Sequence, residues 1–175
     1  MKKISILLAV VLLLLVSTSL AFADPPESKN FVSPLSGAEE VPARDTNARG
    51  NAIFQLSADG SELSYKLIAS NIYNAFAAHI HCGAAGVNGP VGVNLFIGSP
   101  AGGRTDGILS QGTIVAPNPG NPCGWTTLAD VVNAMRSGDT YVNVHTNDGI
   151  DPINTGPGDF PGGEIRGQIR EAGPS

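Results

Sequence analysis

Gly50-Asn51-Ala52-Ile53-Phe54-Gln55-Leu56-Ser57, then Ala58-Asp59-Gly60-Ser61, then Leu63-Ser64-Tyr65-Lys66-Leu67-Ile68, is the stretch that decides the fold. Ala52, Phe54 and Leu56 alternate with Ile53 and Gln55, the period of two that sends successive side chains to opposite faces of a strand. Asp59-Gly60 supplies a hairpin turn, and Leu63, Tyr65 and Leu67 resume the alternation on the way back. Outward from this hairpin, further strands are expected at 31–35, 75–82, 91–97, 108–115, 140–146 and 164–169, separated by Gly- and Pro-rich breaks. One helix interrupts them. Thr127 and Asp130 have the spacing of a capping box, Leu128, Val131, Val132 and Met135 form an apolar stripe, and Gly138 is the stop. The pattern predicts an all-β domain, an antiparallel Greek-key sandwich or flattened barrel with one short helix.

Composition points the same way. Of 175 residues, 22 are Gly and 13 Pro, a share well above the average of about 12% for those two types. No Gly-X-Y period accompanies them, which excludes collagen, and 42% hydrophobic residues exclude a disordered chain. A formal charge of −5 argues against nucleic acid as a partner. Lys2 and Lys3 precede an apolar run, residues 4–16, and Ala21-Phe22-Ala23 reads as a cleavage site. Residues 1–23 are therefore read as a signal peptide cut after Ala23, with a secreted or periplasmic destination. No membrane span is expected after processing. Residues 24–30 read as a flexible lead-in, 31–170 as the single β domain and 171–175 as a tail.

Cys82 and Cys123 both survive processing. In an oxidising compartment they read first as a disulfide, closing a loop of ~40 residues. The rival reading makes Cys82, beside His81, a metal ligand, although its parity on a strand turns it away from the imidazoles.

All three histidines fall in expected strands. His79 and His81 flank Ile80, so they share one strand face with Cα atoms about 6.8 Å apart. Tyr141, Asn143 and His145 alternate with Val142 and Val144, and Glu164, Arg166 and Gln168 alternate with Ile165 and Ile169. If these strands are neighbours, His79, His81, Asn143, His145, Glu164 and Arg166 occupy one surface. Two readings of it stand side by side: a solvated polar or protein-contact face, or a metal site in which Asn143, Glu164 and Arg166 support three imidazoles. Nitrogen ligation in an exported protein suits one copper or zinc ion. Three imidazoles are too few for the two-metal centre of a dismutase. No nucleophile elbow, Walker loop or dinucleotide fingerprint occurs, and Asp148, Asp151 and Asp159 lack EF-hand spacing and read as solvated loop acids.

Leu35-Ser36-Gly37-Ala38-Glu39-Glu40-Val41-Pro42, Ala78-His79-Ile80-His81-Cys82-Gly83, Gly89-Pro90-Val91, Tyr141-Val142-Asn143-Val144-His145-Thr146 and Gly163-Glu164-Ile165-Arg166-Gly167-Gln168 together resemble the CHRD domain. The resemblance runs from about Phe31 to Arg170 and implies an extracytoplasmic all-β domain without a defined biochemical role. In chordin the module belongs to an extracellular protein that sequesters growth factors. The Cys-rich repeats that do that binding have no counterpart here, so the activity is not carried over. A fainter likeness is to copper–zinc superoxide dismutase, whose H-x-H copper ligands His79 and His81 resemble, with His145 similar to its late strand ligand. It implies a sandwich and one mononuclear site, and does not support an enzyme. The reading that results is an exported binding module holding copper or zinc through His79, His81 and His145. The alternatives are a metal-free structural or adhesion domain of the cell envelope, meeting an extracellular protein or glycan, and, third, a copper-dependent redox enzyme.

Overall fold

The computed structural model describes residues 27–173. The signal peptide expected over 1–23 and the first part of the lead-in lie outside the described residues. In chain order the strands are β1 (Asn30–Ser36), β2 (Arg49–Leu56), β3 (Leu63–Tyr73), β4 (Ala75–Cys82), β5 (Val91–Ile97), β6 (Arg104–Ile114), β7 (Thr140–Thr146), β8 (Ile165–Gln168) and β9 (Arg170–Glu171), with one helix, α1 (Leu128–Arg136), between β6 and β7. Every pairing is antiparallel, and the ladder runs β5-β4-β7-β8-β1-β2-β3-β6, with β9 beside β1. The expected sandwich or flattened barrel resolves to a nearly closed barrel.

The opening hairpin forms as its alternation dictates. Phe54 faces Tyr65 across the β2–β3 ladder and Ala52 faces Leu67. Phe54 and Leu67 are fully buried in the single core cluster, as are Ala78 and Ile80 of β4 and Val142 and Val144 of β7. The two ends of the ladder, β5 and β6, meet at a seam. There Tyr65 Oη and Ser110 Oγ each donate to Leu95 O at 2.6 Å, so two hydroxyls do what a row of backbone bonds does elsewhere.

Two elements run longer than the sequence indicates. Pairing of β3 with β6 continues to Tyr73 and Arg104 through two register shifts. Asn71 (φ 53°) and Gly107 (φ 132°) carry left-handed backbone in that region, where the polar Ser70-Asn71 pair masks the alternation. The helix agrees closely with expectation. Thr127 accepts from Asp130 N, the Asp130 carboxylate accepts from Thr127 N, and Leu128, Val131, Val132 and Met135 are buried. Gly138, at φ 74°, donates to Met135 O while Asp139 N donates to Ala134 O, a Schellman stop that delivers the chain into β7.

Cys82 at the end of β4 is bonded to Cys123 across 41 residues, which settles the choice between disulfide and metal ligand. In the chain-entropy view such a loop contributes roughly 3–4 kcal/mol. No helix among the described residues is long and apolar enough to cross a membrane.

The seam gives a sharp test. Because Leu95 O keeps one donor when the other is removed, Tyr65→Phe and Ser110→Ala should each cost less than ~1 kcal/mol. The double variant strands a carbonyl and should cost about 2 kcal/mol or more. Urea unfolding of the four proteins checks this, and simple additivity would contradict it.

Candidate metal centre

β7 lies between β4 and β8, so the three strands that carry polar rows are neighbours. Across the β4–β7 ladder His81 faces Tyr141, His79 faces Asn143 and Ala77 faces His145, while Asn143 faces Arg166 of β8. The polar rows therefore share the outer face of the barrel. That face is not solvated: His81, Asn143 and His145 are buried, Tyr141 and Arg166 nearly completely so, and His79 and Gln168 are half-buried. Three connections tie onto it. They are the strap between β1 and β2 (residues 37–48), the loop between β4 and β5 (83–90), and the loop between β7 and β8 (147–164).

The three imidazoles converge. His79, His81 and His145 each offer a nitrogen within 4.8 Å of the others. His79 Nδ1 stands 3.1 Å from His145 Nε2, near the roughly 3.3 Å separation of two nitrogens around a tetrahedral zinc.

Hydrogen bonds orient two of the rings. His81 Nδ1 donates to Gly89 O at 2.9 Å and His145 Nδ1 donates to Pro161 O at 2.9 Å. A carbonyl only accepts, so both rings carry their proton on Nδ1 and present the Nε2 lone pair. His145 Nε2 then accepts from His79 Nδ1. His81 Nε2 is buried and has no hydrogen-bond partner, which leaves its lone pair free. Tyr141 stacks on the His81 ring, 4.8 Å between centroids and 9° between planes, and its hydroxyl bonds the same Gly89. The Arg166 guanidinium covers the other face of Tyr141 at 3.4 Å and donates to Asn88 Oδ1, Ala84 O and Val87 O, fixing the 83–90 loop.

Burial, followed by the neighbouring His145 and His81, lowers the pKa of His79 from 6.5 to about 4. Burial lowers that of His81 to about 4 against the opposing hydrogen bond to Gly89, and burial lowers that of His145 against its bond to Pro161. The cluster is a set of neutral imidazoles at neutral pH, ready to donate lone pairs.

The supporting residues divide. Arg166 and Asn143 stand in the same buried face. Glu164 is buried, and its carboxylate accepts from Thr46 Oγ1 (2.6 Å), Thr146 Oγ1 (2.7 Å) and Gly158 N (2.8 Å), none of them Arg166 or an imidazole. Asp159, expected to be solvated, is instead buried, with Oδ2 held by Thr155.

Glu40 is the residue that strand parity misses. It lies in the strap, is buried, and reaches Asn143 from above. Burial raises its pKa from 4.5 to about 7, although Arg166, Arg44, the Val41 N–H and Asn143 all pull the other way. The only trace in the sequence is the Gly37–Pro42 segment quoted above, which otherwise reads as a turn.

A nearly closed antiparallel barrel with three imidazoles, two buried and one half-buried, converging on its outer face defines the class. The CHRD domain family model matches residues 31–169, and the chain belongs to that family. No curated protein and no solved structure matches it, so the likeness to copper–zinc superoxide dismutase stays without support.

The depressed histidine pKa values fix the acid response. Between pH ~6.5 and ~4 the unfolded chain takes up protons that the folded imidazoles refuse. Stability is therefore present above pH ~6.5 and falls as the pH drops towards 4. For His81 the loss is about 2–3 kcal/mol. His81→Phe, which keeps the stack on Tyr141, should flatten that part of the curve in urea unfolding at a series of pH values.

Proposed function

We propose that the chain is an exported binding module of the CHRD family that holds one copper or zinc ion through His79, His81 and His145. The observation that carries this is the buried, unpartnered His81 Nε2 inside a triangle of imidazoles, two of which have their opposite nitrogens pinned to carbonyls. Borderline nitrogen donors without a carboxylate among them favour these two ions over magnesium or calcium. The basic and apolar leader at residues 2–16 and the Cys82–Cys123 disulfide support export.

An ion that binds the folded chain alone stabilises it by RT ln(1 + [L]/Kd), about 2.7 kcal/mol at a hundredfold excess over Kd. For a domain of this size that raises Tm by roughly 5–10 °C. Copper or zinc added to metal-free protein should produce such a shift, and magnesium should not. His81→Ala and His145→Ala should abolish the shift. No response to either ion would leave a metal-free structural or adhesion domain as the reading.

A further inference from the structure

Two buried oxygen atoms in the polar layer have no hydrogen-bond partner, Glu40 Oε1 and Asn143 Oδ1. Both crowd the same spot beside Gly163. A Cβ placed on that glycine would lie 2.6 Å from Glu40 Oε1 and 2.5 Å from both Oδ1 and Nδ2 of Asn143, so the carboxyl and the amide meet there. Within the pair Asn143 Nδ2 donates to Glu40 Oε2 at 3.5 Å. Two neighbouring buried acceptors that both lack a donor are costly unless one of them carries a proton. A proton on Glu40 Oε1 completes a two-point ring, O–H to Asn143 Oδ1 and N–H to Glu40 Oε2, that a carboxylate cannot form.

Glu40 stands at the centre of the strap, and the strap joins the two loops that orient the imidazoles. Asn88 Nδ2 of the 83–90 loop donates to Val41 O at 2.7 Å. On the other side Arg44 Nε donates to Gly163 O at 3.3 Å and Thr46 Oγ1 donates to Glu164 Oε1 at 2.6 Å. The first loop carries Gly89 O, which holds His81, and the second carries Pro161 O, which holds His145.

We propose that Glu40 is a positioning residue of the histidine site: as a neutral carboxyl paired with Asn143 it seats the strap, and the strap holds the two carbonyls that orient His81 and His145. This deepens the metal-centre reading and rests on it. The charged groups near Glu40 are Arg166 from β8 and Arg44 from the strap itself; both favour the carboxylate, and burial outweighs them. β7 presents the uncharged Asn143, with Tyr141 and His145 two residues to either side, and the 83–90 loop contributes no charge; the 147–164 loop, which meets Glu40 at Gly163, carries buried Glu164, bonded to Thr46, Thr146 and Gly158, and buried Asp159, bonded to Thr155. With the Glu40 pKa raised to about 7, loss of the proton falls in the neutral range, where the strap loosens.

The test uses metal-free protein, so it does not depend on whether an ion binds. Carbethoxylation of His81 and His145 by diethyl pyrocarbonate, read residue by residue by mass spectrometry, reports how openly each ring is held. Since His81 titrates at about 4 and burial also lowers the pKa of His145, the rate should follow the ionised fraction of Glu40 and rise about tenfold between pH 6 and pH 8. Glu40→Gln mimics the protonated acid and pairs with Asn143 in the same two-point way, so it should keep the slow pH 6 rate throughout. A flat wild-type profile, or an equal rise in Glu40→Gln, would overturn the proposal. Infrared spectra of the wild type supply a measurement independent of any variant. A buried protonated carboxyl band present at pH 6 and gone at pH 8 supports it, and its absence at pH 6 overturns it.

Discussion

Burial of both faces of β7 is the constraint on which the rest of the structure depends. One face carries Val142 and Val144 into the barrel, where apolar packing is the usual solution. The other carries Tyr141, Asn143 and His145, and all three are buried as well. Removing such groups from water costs free energy unless their hydrogen bonds are replaced, so the layer above β7 has to be built from polar partners. That requirement explains why the connections of this barrel are engaged so heavily with the strand they cover: Gly89 and Pro161 offer carbonyls, Tyr141 bonds Gly89, and Glu164 gathers two hydroxyls and an amide.

Arg166 shows how the layer tolerates a charge. Its guanidinium is almost completely buried, yet its hydrogen bonds go to uncharged oxygens and its face rests on the Tyr141 ring. Three acceptors and a π surface replace the water it has lost, and Glu40 is close enough to feel its field. The arrangement ties the 83–90 loop to β8 and, through Tyr141, backs the His81 ring. A chain of contacts thus runs from a charged side chain on one strand to an imidazole on another without a salt bridge.

Within this layer the acid–base balance is inverted relative to water. The imidazoles are pushed towards their neutral form, and the Glu40 carboxyl beside Asn143 is pushed towards its neutral form too. Desolvation is the first cause in each case. A site of this kind offers lone pairs and holds little charge of its own, which is what a softer divalent ion requires and what a phosphate or nucleic acid does not. The disulfide at the mouth of the 83–90 loop holds the end of β4 beside His81, so covalent and hydrogen-bonded restraints converge on the same ring.

The sequence by itself determined what is local. The period of two around Asp59-Gly60 set the first hairpin, the caps around α1 set its ends, and the H-x-H spacing put His79 and His81 on one face. All of these follow from neighbours within a few residues, where backbone geometry leaves little choice. Parity also grouped His145, Asn143 and Arg166 correctly, because alternation holds along any strand whatever its partners. Only the tertiary structure decided that β4, β7 and β8 adjoin, that their polar rows are covered, and that Glu40 descends on Asn143 from 103 residues away. Adjacency and cover depend on how distant segments share space. A row of polar residues looks the same in the sequence whether water or a loop lies above it.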